Sequence, residues 1–573
     1  MTNPLPVEYS LDSTGLILCP LSKEDKFILG FEYMKLITFL VVFVFCFLTV
    51  WSNDIIPQSG KTYWWNDTVF YEIFVRSFAD SDGDGIGDLQ GLISKLDYLN
   101  DGNPETFSDL GISGIWLMPV CQSPSYHGYD VTDYQHIEED YGTNADFQLL
   151  MDECHRRGIK VIVDFVMNHC SSQHPWFIKA KASDAYFKRW FRWKHNKPSY
   201  LGPWNQPVWH EANGEYYFGL FWGGMPDLNY ENKAVRKEMK DIAKFWLSEM
   251  KVDGFRCDAV KHIYEDGAVM ENVPETFTWW REFHDFYKGI NPDAMTVGEA
   301  WDSSDIVVKY LDNRFDFCFE FDLANTIISA VNNADADLLK YKLAEINEIY
   351  PYLQYGTFLT NHDQNRVLNQ LAFNVEKAKF AASILLTLPG IPFIYYGEEI
   401  GMTGAKPDPD IRTPMQWNST EFAGFSSAEP WHSVNDNYSE YNMEDQQKDE
   451  NSLWRVYRKM ITLRTEHPAL RRGTTQILNC DRDDILVLLR IYQNDVVILI
   501  YNFSNDLSDL LLPSQPTGLV EADYNILTEP AAAKITRLQI DFEGRWQDQI
   551  KLQVPDKNAL KVYLLQKRII MED

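Results

Sequence analysis

The sequence predicts an α/β fold, a (β/α)8 TIM barrel, and three observations carry that prediction. Eight short segments are continuous in apolar residues instead of alternating, as strands covered on both faces are. Longer stretches with helical periodicity separate them. Acidic, amide and histidine residues recur where the apolar segments end, and a parallel barrel opens its pocket at those ends.

The strand segments are 69–75, 114–119, 161–167, 254–258, 296–299, 317–321, 357–360 and 392–396. Helical patterns between them include 147–157, 233–251, 277–289, 338–349 and 375–387. The barrel therefore spans 62–167 and 231–470. The interval 168–230 is too long for a plain crossover; it is rich in Trp, Tyr, His, Gly and Pro and has little helical period, so an inserted small domain is expected there. Beyond residue 467 the pattern turns β-rich at 485–492 and 496–501, and a C-terminal β-sandwich domain is expected over 475–573.

The N-terminus reads differently. Met34-Lys35 precedes an unbroken apolar run at 36–50. A run of about 15 apolar residues suits a signal-peptide core and falls short of the ~20 of a membrane span. Residues 34–52 are thus expected to direct export, with secretion or a cell-envelope location to follow; 1–33 form an upstream extension, and a membrane anchor is the competing reading.

Composition bounds the function. The 573 residues are 45% hydrophobic and carry a net charge of −31, which argues against nucleic acid or an anionic membrane surface and favours an enzyme with a neutral substrate. Eighteen Trp and 30 Tyr fill cores, but flat rings beside polar groups also suit sugar faces. The eight cysteines form no C-x-x-C pair, so few or no disulfides are expected. No segment points to a partner protein.

Two kinds of motif carry chemistry. In the loop Asp80-Ser81-Asp82-Gly83-Asp84-Gly85-Ile86-Gly87-Asp88, carboxylates at positions 1, 3, 5 and 9 and the Ile86 carbonyl match a calcium loop in ligand type and spacing, although Gly91 replaces the usual acid at position 12. The second kind is polar residues at several strand ends: Asp164 with Asn168 and His169, Asp258, Glu299, and His362 with Asp363. Arg256 and Asp258, two apart on one strand, point to the same side, and a permanent cation beside a carboxylate keeps it ionised. The negative charges around Glu299 should then raise its pKa. One ionised and one protonated carboxyl is the arrangement that cleaves glycosidic bonds.

Residues 164–169, 254–262, 298–301 and 360–363 resemble the four signature regions of the α-amylase family, glycoside hydrolase family 13. Met225-Pro226-Asp227-Leu228-Asn229 resembles the motif of its intermediate group, and 111–120 and 390–402 match as well. The resemblance covers about residues 62–573 and implies retaining hydrolysis of α-glucan. It makes Asp258 the nucleophile, Glu299 the general acid/base and Asp363 the residue that binds the distorted sugar. Arg256 orients Asp258 and, with His169, His362, Tyr129 and Asp164, belongs to the substrate-binding set; Lys261 and His262, in the same set, lie past the scissile bond. Calcium is the cofactor implied, at the Asp80–Asp88 loop and, in many members, between Asn168 and the His262 backbone carbonyl. Lys261-His262 resembles endo-acting α-amylases on starch, glycogen or maltodextrin. An exo-acting α-glucosidase or oligo-1,6-glucosidase, a trehalose-synthase-like transglycosylase and a membrane-anchored transporter heavy-chain-like protein are the competing readings.

Overall fold

The computed structural model describes residues 62–519, 521–528, 536–541, 545–546 and 549–567. The extension 1–33 and the apolar run 36–50, with the expectations attached to them, lie outside the described residues. No helix among the described residues is long and apolar enough to cross a membrane.

Eight parallel strands close a barrel: β1 (Phe70–Ile73), β2 (Gly114–Leu117), β3 (Lys160–Phe165), β4 (Gly254–Cys257), β5 (Met295–Gly298), β6 (Phe317–Phe319), β7 (Tyr355–Thr357) and β8 (Ile391–Tyr395). Each pairs with the next, and β8 pairs with β1 through Phe70↔Phe393. Alternation along the strands explains their apolar continuity. Phe70, Trp116, Ile162, Met295, Val297, Phe317, Phe319 and Phe393 fill the interior, while Tyr71, Ile115, Leu117, Val161, Val163 and Phe255 pack outward in the main core shared with the helices. The seventh segment is misplaced by the sequence: the strand ends at Thr357, and Phe358, Leu359 and Thr360 are buried in the loop that follows. Their apolar character marks burial without extended pairing.

The helices start where capping chemistry dictates. Thr143 and Asp146 form a reciprocal capping box at the start of Asn144–Arg156, and Asn374 caps Val375–Thr387. The interval after β3 holds an antiparallel sheet of Trp193–Lys194, Glu215–Phe218 and Trp209–Ala212. The bridge His169↔Asp227 ties the far end of this insert back to the residues just beyond β3, and Phe191↔Leu228 holds the insert together internally.

A six-stranded antiparallel sheet follows, in the order Thr474–Ile477, Ile485–Tyr492, Asp495–Asn502, Ala559–Lys567, Ala522–Thr528, Thr536–Ile540, with Leu510–Leu512 paired to Ile550–Leu552 beside it. Leu486, Leu488, Val497 and Leu499 face the barrel core, while Val487, Leu489, Ile498 and Ile500 face a second core. Burial on both faces is why these strands read as unbroken apolar runs. A buried arginine fastens this part to the barrel: Arg490, on the strand Ile485–Tyr492, donates to the carbonyls of Thr387, Leu470 and Gly473, while Arg464 on the last barrel helix donates to those of Leu386, Leu388 and Gly390 close by. Cations at the C-terminal end of Val375–Thr387 are favoured by its dipole. The six described cysteines are all free.

Gly254 opens the strand that carries the site. A Cβ there would lie 2.1 Å from the Met295 carbonyl oxygen of β5, which is backbone and cannot swing away. Gly254→Ala is therefore expected to cost about 2 kcal/mol or more by chemical denaturation. Gly289→Ala, at an exposed helical position with open space around it, is expected to be neutral or stabilising by up to about 1 kcal/mol.

Candidate active site

The site is built outward from Arg256. In the β3–β4 register Arg256 lies opposite Asp164, so the fold alone brings a guanidinium to a carboxylate. Arg256 is fully buried, and its Nη1 donates to both Asp164 oxygens and to Asp258 Oδ1, all at 2.8 Å. Its Nη2 lies 2.9 Å from Glu299 Oε2. Asp258 and Glu299 are the first residues past β4 and β5, so adjacent parallel strands deliver them to one guanidinium. The chain turns sharply after Asp258: Ala259 adopts a left-handed conformation (φ 48°, ψ 41°), and its N–H donates to Glu299 Oε2 at 3.1 Å. Such a conformation in a residue with a side chain persists only where its surroundings hold it.

Electrostatics separates the carboxyls. Burial, and then the negative charges of Asp258 and Asp363, push Glu299 up to about 7 against the pull of Arg256. The sequence reading assigns the rise to the neighbouring charges; the structure puts burial first. Burial also pushes Asp164 up to about 6, with Arg256 opposing and Asp258 adding to the rise. Asp363 goes the other way. Burial alone would raise it, but His362 and Arg412 outweigh that and hold it well below the usual carboxylate range. Arg412 Nη2 donates to Asp363 Oδ1 at 2.8 Å, and His362 Nε2 lies 3.2 Å from Asp363 Oδ2. His362 is pushed up to about 10 by Asp363 and Glu72, against its burial.

Asp258, Glu299, Asp363, Tyr129, His169, Lys261 and His262 line one cleft of about 710 Å³. Tyr129 donates its hydroxyl to Asp164 Oδ2 (3.1 Å) and stacks on the His362 ring at 5.6 Å. His169 Nε2 is 3.2 Å from the Tyr129 carbonyl oxygen, and burial holds its pKa below the usual imidazole value. Lys261 Nζ donates to the Trp301 carbonyl (2.9 Å) and pairs with Glu271 (2.9 Å); His262 Nδ1 is 2.9 Å from the Met270 carbonyl. Three expectations are corrected. Asp164 and Arg256 have almost no exposed side chain and lie beneath the cleft as each other's counter-ions, so neither is placed to touch a substrate. His362 is likewise fully buried, its nitrogens engaged by Glu72, Tyr129 and Asp363, and it reaches the cleft through the last two.

Sequence reasoning misses the aromatic walls. Trp204, Trp222 and Trp301 line the cleft with 57%, 53% and 46% of their surface exposed, Trp204 stacked on Phe221 and Trp301 on Phe321. Their local signals were the aromatic pair Phe221-Trp222 before two glycines and the place of Trp301 two residues past Glu299, in the stretch 298–301. Arg412 and Asp408, in the charged segment after β8, and Glu72, an acid in the middle of an otherwise apolar strand, were missed as well.

In the calcium-like loop, Asp80, Asp82 and Asp88 each offer a ligand atom within 4.8 Å of the others, a donor set that fits a hard cation. Asp84 is outside this group: its Oδ1 accepts from its own turn, at Ile86 N (2.7 Å). Ser426 donates to Asp80 Oδ2 (2.6 Å), which docks the loop on the segment after β8. At the second expected place, Asn168 Nδ2 donates directly to the His262 carbonyl at 2.7 Å. Asp227, of the Met225–Asn229 motif, is buried beside Asn168, and burial pushes it up to about 7 against hydrogen bonds from Leu220 N and Asn168.

A (β/α)8 barrel that gathers carboxyls from neighbouring strand ends around one buried arginine belongs to the class of barrel glycoside hydrolases. Residues 72–473 match the family model described as "Alpha amylase, catalytic domain". The chain is 39% identical over 445 residues to "Alpha-amylase 3" of Dictyoglomus thermophilum, covering 77% of this chain and 85% of that protein. It is 33% identical to an oligo-1,6-glucosidase of Parageobacillus thermoglucosidasius, covering 78% of this chain and 92% of that one. The crystal structure of α-amylase from H. orenii superposes with a TM-score of 0.76 at 39% identity, over 87% of this chain and 99% of that one. This chain belongs to the α-amylase family of glycoside hydrolases, family 13.

Lysine in place of Arg256 keeps the charge but cannot fork to Asp164, Asp258 and Glu299 together. Arg256→Lys is expected to lower kcat on soluble starch by about 100-fold or more. With Glu299 pushed up to about 7, activity in the parent enzyme is expected to fall as pH rises through that value if this carboxyl supplies the proton. Because Arg256 opposes the rise, the variant's alkaline limb in kcat/KM is expected to move to higher pH.

Proposed function

We propose that this chain is an endo-acting α-amylase that cleaves α-1,4-glucosidic bonds of starch, glycogen or maltodextrin with retention at the anomeric carbon. The observation that carries the reading is that three half-exposed tryptophans line the same cleft as Asp258, Glu299 and Asp363, a surface for several glucose units instead of one. Lys261-His262 beside Glu299 supports the same reading.

Asp258 attacks the anomeric carbon as Glu299 gives its proton to the departing glycosidic oxygen; the carbon–oxygen bond breaks and an ester to Asp258 forms. Glu299, now ionised, takes a proton from water, which attacks the same carbon and frees Asp258. Two carboxyls held by one guanidinium support the retaining arrangement, whose separation is about 5–5.5 Å, over the inverting one at roughly 6.5–9.5 Å. Asp363, held ionised by His362 and Arg412, binds sugar hydroxyls and favours positive charge on the ring in the transition state.

Calcium belongs to the reading as a structural ion held by Asp80, Asp82 and Asp88, where it would neutralise their mutual repulsion. Export belongs to it too, on the strength of the apolar run at 36–50. The likeness to an oligo-1,6-glucosidase supports a second reading, exo-acting cleavage.

A timed digest of amylose separates the two. The endo reading expects iodine staining to collapse while reducing ends are still few, with mixed maltooligosaccharides as early products; glucose alone from the earliest samples would overturn it. For calcium, chelation is expected to lower the melting temperature and added calcium to restore it, with the increment reduced in Asp82→Asn. A melting temperature indifferent to chelator would remove the ion from the account.

A further inference from the structure

Glu72 has no place in the chemistry described so far, yet it is a buried acid in the middle of the strand that opens the barrel. Phe70, two residues earlier on β1, belongs to the barrel interior, so strand alternation turns Glu72 inward as well, beneath the cleft. Its side chain is almost wholly buried, and its Oε1 lies 2.5 Å from Nδ1 of His362. A carboxylate in such a place is costly unless a proton donor meets it.

The other side of the imidazole is equally constrained. His362 Nε2 lies 2.6 Å from the Tyr129 hydroxyl oxygen and 3.2 Å from Asp363 Oδ2. With a carboxylate oxygen at each nitrogen, the ring satisfies both only by carrying a proton on each. The proton on Nε2 then fixes the phenol: Tyr129 Oη accepts from the imidazolium, so its own hydrogen points to Asp164 Oδ2 at 3.1 Å. A continuous polar chain results, from Glu72 through His362 and Tyr129 to Asp164 and Arg256. It joins β1 to the guanidinium that holds Asp258 and Glu299.

The remaining neighbours do not replace Glu72. Trp116 of β2 meets the imidazole edge-on at 5.6 Å and carries no charge. Arg412 donates to the His362 carbonyl and to Asp363, and Arg256 reaches the Tyr129 hydroxyl at 3.4 Å; both are cations and disfavour a positive imidazole. Asp164 faces Tyr129 and is shared with Arg256. Asp363 alone would have to balance His362 while also serving Arg412.

We propose that Glu72 is a positioning residue for the hydrolysis: its buried carboxylate keeps His362 doubly protonated, and His362 thereby fixes Asp363 and the Tyr129 hydroxyl where they meet the sugar. The proposal rests on the reading of Asp363 and Tyr129 as sugar-binding groups. Removing the charge while keeping the shape lets His362 lose a proton near neutrality; Nε2 then stops donating, and Tyr129 is free to turn away from Asp164.

Glu72→Gln in the full-length enzyme tests it. Two readouts are used: the pH titration of His362 by imidazole nitrogen NMR, assigned with His362→Asn, and the pH profile of kcat/KM on maltooligosaccharide. The parent imidazole is expected to keep both protons to above about pH 9 and that of Glu72→Gln to titrate at least about two units lower. Activity of the variant is expected within about threefold of the parent near pH 5.5 and at least about tenfold lower at pH 7.5, with a steeper alkaline limb because two protons are now lost. In a His362→Asn background, Glu72→Gln is expected to add less than about twofold, since its effect runs through the imidazole. A His362 titration that does not move, or an equal loss of activity at every pH, would overturn the assignment and leave Glu72 as packing. The imidazole titration needs no substrate, so it decides the role of Glu72 even if the parent enzyme fails to cleave α-glucan.

Discussion

Everything in the cleft depends on one guanidinium. Arg256 lies beneath Asp164, Asp258 and Glu299 and contacts all three. Bringing several acids out of water into one cavity is unfavourable, and a single cation cannot neutralise them all. Burial and the negative charges of Asp258 and Asp363 push Glu299 up to about 7 against Arg256, which contacts Asp258 and Glu299 alike. A lysine could supply the charge but not the fork, which explains why the residue type matters as much as its sign.

Much of this is written locally in the chain. Eight apolar runs with helical stretches between them specify a barrel because strands in a parallel sheet must be buried on both faces, and inward Phe70 and outward Tyr71 show the two cores they serve. The same logic misleads at residues 358–360, where apolar side chains are buried in a loop, so composition registers burial and misses the end of hydrogen bonding. The β-rich runs past residue 467 were legible as strands, but not that alternate residues such as Leu486 and Val487 enter different cores.

The acidic residues of the site were legible because each stands at the end of an apolar run, and a barrel gathers such ends. Their partners were not. Glu72 and His362 are 290 residues apart, and no local pattern announces a contact that only barrel closure creates. Arg412 belongs to a loop after β8 whose path is set by packing, and it reaches Asp363 across 49 residues. The tryptophan walls were hidden for another reason: in a chain with 18 tryptophans, nothing local separates Trp204, stacked on Phe221 and half-exposed, from Trp280 deep in the core. The metal loop was legible in its spacing, yet only Asp80, Asp82 and Asp88 come together; Asp80, Asp82 and Asp84 all accept from the N–H two residues on, so that turn contact does not explain why Asp84 stays apart.

The covalent role of Asp258 is open to one decisive measurement. A Glu299→Gln variant treated with an α-glucosyl fluoride has a leaving group that needs no acid and lacks the base that would release the intermediate. Peptide mass analysis should then find one added glucosyl group on Asp258, lost in a further Asp258→Asn substitution. A glucosyl group on any other side chain, or turnover to the β-anomer with no adduct, would contradict the arrangement built on Arg256.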